Sequence, residues 1–86
     1  MTEYIFVFRS KTDVFNFYEN LRERGIPVST VGTPKEAGIG CGLAVKTGAQ
    51  NYISAKSVLY ALRPTSFYGV YQTIRRGERV STSKIL

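Results

Sequence analysis

Tyr4-Ile5-Phe6-Val7-Phe8, then Ser10 to Leu21, then Gly25-Ile26-Pro27: these three pieces in this order decide the fold. The first is a β-branched and aromatic run, apolar at nearly every position, which suits a central strand with both faces at least partly covered, spanning about residues 3 to 9. Ser10 stands three residues before Asp13, the spacing of a capping box, so a helix is predicted from about Lys11. Val14, Phe17, Tyr18 and Leu21 follow at i, i+3, i+4 and i+7, the stripe of an amphipathic helix, and Phe15 beside it widens the expected buried face. Gly25 supplies the left-handed cap, Ile26 folds back, and Pro27 cannot continue the turn.

Outward from this strand and helix, the remaining elements repeat the theme. Val28 to Val31 is a short second strand, broken by Gly32-Thr33-Pro34, and Leu43 to Thr47 is a third, ended by Gly48. A second helix over about residues 50 to 62, capped near Gln50 or Asn51, presents Tyr52, Ala55, Leu59 and Leu62 on one side, broadened by Val58. It stops at Arg63-Pro64, because the residue before proline is pushed out of the α region. Phe67 to Ile74 is a fourth strand. The order βαββαβ predicts an α+β chain: a ferredoxin-like sandwich with a four-stranded antiparallel sheet and two helices on one face. Its other face would be open, and a homodimer through that face is the expected remedy. The domain is expected over residues 1–74. Residues 75–86 form a basic Ser/Thr-containing tail expected to fray, although Val80 to Leu86 retain the means to pack or pair.

Composition limits the function. Eighty-six residues make one domain, which buries about two thirds of the surface of its unfolded chain. No apolar run approaches the ~20 residues needed to span a bilayer, and Met1-Thr2-Glu3-Tyr4 does not open a secretory signal, so a cytoplasmic protein is expected. A single cysteine fits that reducing compartment, since it has no internal disulfide partner. Half of the +6 net charge lies from Arg75 onward, where Arg75, Arg76, Arg79 and Lys84 face only Glu78. Unspecific contact with RNA or acidic proteins follows from such a segment, but a solvated end explains it more simply. The absence of histidine removes Ser-His-Asp and Cys-His nucleophile pairs and any Cys/His zinc site in one chain. Neither a metal nor a cofactor is expected.

The chemistry concentrates in Gly38-Ile39-Gly40-Cys41-Gly42-Leu43-Ala44-Val45. Glycines on both sides of Cys41 allow the backbone amides to converge on its sulfur. A cysteine at a strand entrance also serves as a small buried hydrophobe. The Gly-x-Gly-x-Gly run precedes a strand and lacks the Lys-Ser/Thr end of a Walker loop, which argues against a phosphate cradle. The third strand has no aromatic residue, so a base-stacking RNA platform is not expected either.

Pro34-Lys35, the Cys41-Gly42-Leu43 turn and Tyr68-Gly69-Val70-Tyr71, behind an opening strand and a helix ending in Gly25-Ile26-Pro27, resemble a family of small bacterial selenium/sulfur carrier-like proteins over about residues 3 to 74. The chain departs from that pattern in having Gly38 and Gly40 where small polar residues are usual, and in its basic extension after Ile74. The resemblance implies a ferredoxin-like or related fold and a non-catalytic or weakly catalytic carrier that holds sulfur or selenium as a persulfide or selenide on Cys41. Gly40, Gly42, Leu43 and Lys35 would be supporting positions, and donor and acceptor proteins the partners. Backbone N–H groups and a nearby ammonium would favour the thiolate. The competing expectation is an interaction or regulatory module whose Cys41 only packs.

Overall fold

A computed structural model describes residues 1–39 and 42–86. Its elements run β1 (Thr2–Phe8), α1 (Lys11–Glu23), β2 (Ser29–Gly32), a 3₁₀ turn (Lys35–Ala37), β3 (Leu43–Gly48), a second 3₁₀ turn (Ala49–Asn51), α2 (Tyr52–Leu62), β4 (Phe67–Arg76) and β5 (Arg79–Lys84). The protein is α+β, with two α-helices and a five-stranded antiparallel sheet in the order β2-β3-β1-β4-β5. β1 occupies the middle of the sheet, as its unbroken apolar run requires.

The fifth strand corrects the expectation of four. Where the chain was expected to fray after Ile74, β4 continues to Arg76, turns through Gly77-Glu78 and returns as β5. Gly77 takes φ +62° at the first central position of this two-residue turn, and Arg76 pairs with Arg79 across it. Positive φ at a two-residue hairpin connection matches the twist of the flanking strands. The ladder then runs from Arg75↔Val80 to Tyr71↔Lys84, and residues 85 and 86 continue it through backbone bonds to Val70.

Both helices pack on one side of the sheet. Phe6 and Phe8 of β1, Val45 of β3 and Val70 of β4 meet Val14, Phe17 and Leu21 of α1 and Ala55, Val58 and Leu59 of α2 in the larger core. Aromatic rings link its layers, with Phe6 and Phe8 tilted on Phe17 at 5.0 and 5.4 Å and Tyr4 stacked on Tyr52 at 4.2 Å. The i, i+3, i+4, i+7 stripe of α1 thus faces the sheet. Phe15 lies outside the stripe and is 48% exposed, so the buried face is narrower than its presence implied.

The ends of α1 show local rules meeting tertiary ones. At the carboxyl end, Ile26 N bonds to Leu21 O at 3.0 Å and Gly25 N to Arg22 O at 2.9 Å, with Gly25 at φ +75°. This is a Schellman cap, and Ile26 joins Leu21 in the core as such caps favour. At the amino end the expected capping box is replaced. Ser10 makes no side-chain cap bond, and Asp13 Oδ2 accepts hydrogen bonds from the backbone N–H and hydroxyl of Ser66. Ser10 N donates to Ser66 Oγ at 3.2 Å, so the loop before β4 caps the helix from 56 residues away. The second helix begins at Tyr52, directly after a 3₁₀ turn, with Asn51 at the expected N-cap position but making no side-chain cap bond.

The opposite sheet face is not open. Val7 of β1, Ala44 of β3 and Tyr71 of β4 form a second buried cluster with Ala37 from the β2–β3 connection, and Ile5, Val31, Ile39 and Tyr68 pack around it. The connection therefore folds back over the sheet, and its 3₁₀ turn lies against β5.

Candidate functional site

The β2–β3 connection is held at both ends. Gly32 pairs with Leu43, and Thr33 N donates to Gly42 O at 3.2 Å, which carries the hairpin one step beyond the strands. Within it, Pro34 sets up the 3₁₀ turn, closed by Ala37 N to Pro34 O at 3.0 Å and Gly38 N to Lys35 O at 3.1 Å. Gly38 follows at φ +64°, a conformation that glycine adopts at no steric cost. Ala37 buries its methyl group against the second cluster, and Ile39 lies half-buried beside it. Two apolar side chains and one glycine reversal thus hold the near half of the connection on the sheet.

Of the positions expected to carry chemistry, Gly40 and Cys41 lie outside the described residues. Lys35 and Gly42 are exposed. Leu43 is half-buried and packs into the helix-side core, so its side chain is committed to packing and only its main chain faces the turn. Among the described residues, no group of three or more acidic, histidine or cysteine side chains is placed to hold a metal, and no helix is long and apolar enough to cross a membrane.

To this connection the structure brings a group scattered along the sequence, two of its members from the Tyr68-Gly69-Val70-Tyr71 run. Tyr68 and Tyr71 stand together beneath it, with Glu36 close enough to act on Tyr71 electrostatically. Burial first, then the neighbouring Tyr68 phenol, then the Glu36 carboxylate, raise the Tyr71 phenol above its ordinary value of 10.0. The Arg9 guanidinium and the Lys84 ammonium lie over the Tyr68 ring at 5.3 and 4.9 Å from its centre. Tyr68 takes this place because β4 bulges: Phe8 pairs with Phe67 while Val7 pairs with Gly69, leaving Tyr68 as the extra residue. Apart from Tyr68 and Tyr71, the members of this group, at positions 9, 36 and 84, share no sequence motif. Only strand pairing assembles them, although the Tyr-Gly-x-Tyr run at the start of β4 carries a hint of special packing.

In chemical terms the arrangement is a pinned loop with an exposed outer side, bordered by the cations Lys35, Arg9 and Lys84 and by Glu36. Such a rim attracts anionic groups. A family model described as Putative Se/S carrier protein-like matches residues 3–68. No curated protein and no solved structure matches the chain. The matched region takes in β1, α1, the whole β2–β3 connection, β3 and α2, well over half of the molecule, and the chain belongs to the Putative Se/S carrier protein-like family.

Proposed function

We propose that the protein carries sulfur or selenium on Cys41 between a donor and an acceptor protein. The observation that carries this reading is the family match, which spans the only cysteine in the chain. In the sulfur case the Cys41 thiolate attacks the outer sulfur of a donor persulfide. The donor's S–S bond breaks, a new S–S bond forms on Cys41, and the donor departs as thiolate, so the exchange is redox-neutral. An acceptor thiolate then repeats the attack on the outer sulfur of the Cys41 persulfide. No second thiol in the chain competes by resolving it. Lys35, exposed in the same connection, brings a positive charge that favours the thiolate, and Gly40, Gly42 and Leu43 are the supporting positions of this reading. The strand order supports a ferredoxin-like scaffold extended by β5. A reducing bacterial cytoplasm is the compartment in which such a thiol stays available.

The test is incubation with a cysteine desulfurase and cysteine, followed by intact mass. A gain of ~32 Da that disappears in Cys41→Ser is expected. A gain that persists in Cys41→Ser, or a Cys41 thiol that alkylates only after unfolding, overturns the proposal and favours an interaction module.

A further inference from the structure

We propose that the β4–β5 hairpin holds a phosphoryl oxyanion between Arg76 and Arg79. The two arginines are directly opposite each other in the ladder, and so are Ile74 and Ser81 one step further in. Directly paired and alternate residues share a sheet face, so these four side chains form one patch. They line a cavity of about 220 Å³. Like charges placed opposite each other in a ladder destabilise it. Neither arginine has an ion pair or side-chain hydrogen bond among the described residues, and both are exposed, so only solvent and salt screen the repulsion.

A bound oxyanion turns that repulsion into a binding site. Two guanidinium groups present planar forks of N–H donors that match phosphate geometry, and the Ser81 hydroxyl adds a donor beside them. Donors available from three side chains around one cavity suit a tetrahedral group with several charged oxygens better than one planar carboxylate. The patch also favours a single phosphoryl group over a polymer backbone. Arg75, the nearest further cation in sequence, alternates to the other face of β4, so no row of charges continues from the pair. The site lies beyond the residues that the family model covers and does not depend on the carrier reading.

The probe is inorganic phosphate, titrated at constant ionic strength while the Nε–H signals of Arg76 and Arg79 and the amide of Ser81 are followed by NMR. Saturable shifts at these three positions are expected. Arg76→Ala and Arg79→Ala should each weaken binding by about tenfold or more, and Arg75→Ala by less than about twofold. Arg79→Glu should raise the melting temperature in phosphate-free, low-salt buffer by a few degrees. Phosphate should stabilise the wild type and leave Arg79→Glu unmoved. Shifts that never saturate, or an equal loss in Arg75→Ala, overturn the site. A short single-stranded RNA that binds tighter than phosphate and depends equally on Arg75 also overturns it, reassigning the hairpin to nucleic acid.

Discussion

Gly69 occupies a point where a side chain has no room. A Cβ there would lie 2.6 Å from the Leu86 carbonyl oxygen and 2.6 Å from Lys84 Cε. The lysine end can swing away, but the carbonyl belongs to the backbone bonded to Val70, so Gly69→Ala must push residues 84–86 off the sheet. A loss of about 1–3 kcal/mol is expected in urea unfolding, with amide exchange rising first at residues 85 and 86. Tyr71 offers a test with a sign in pH. Its folded phenol ionises above the ordinary 10.0, so the folded state keeps the proton that the unfolded state releases. The stability this represents is complete below pH 10 and is lost as pH rises through the folded value. Tyr71→Phe should therefore lose less stability than the wild type above pH 10. A parallel decline of the two proteins would contradict the assignment. Asp13 marks the limit of reading single residues from sequence. Its spacing from Ser10 was legible and the helix starts where that spacing predicts, yet its carboxylate serves Ser66, a partner that only folding supplies.

At the scale of elements, local pattern was sufficient wherever an element owns its signal. The α1 stripe, its Schellman stop and the runs of β1 and β3 appear as read, because apolar periodicity and glycine caps act within a few residues. β5 was missed because its residues are polar and mostly exposed, so it carries no run of buried side chains. Its informative feature was Gly77-Glu78, a two-residue turn beginning with glycine, which charge counting had read as a solvated end. The strand is stabilised by its ladder to β4 and, as an edge, is protected by Arg79 and Lys84. Ending the chain at Arg76 should leave a folded protein that is less stable by roughly 2 kcal/mol, since several backbone hydrogen bonds of about 0.5–1.5 kcal/mol each are exchanged for water. Unchanged stability would mean that β5 contributes nothing to the fold in solution.

At the scale of the whole molecule, the β2–β3 connection changes how the sheet meets water. The sequence left one face bare and called for a second copy to cover it. Instead Ala37 and Ile39 of the same chain close over Val7, Ala44 and Tyr71. With its centre covered from within, the face no longer needs a partner, and light scattering at micromolar concentration should give a mass near 9.6 kDa. A mass of twice that would show that the remainder of the face, where Val80 is exposed, or the edge at β5, still joins two chains. By itself the sequence determined the α+β class, the order of the first six elements, the cap of α1 and the family, because each depends on neighbours in the chain or on an ordered set of short motifs. Only the tertiary structure decided the fifth strand, the covered face, the capping of α1 by Ser66 and the grouping of Arg9, Glu36, Tyr68, Tyr71 and Lys84. Those depend on contacts between residues far apart in sequence, whose free energy arises when the sheet assembles and leaves no periodicity in any one segment.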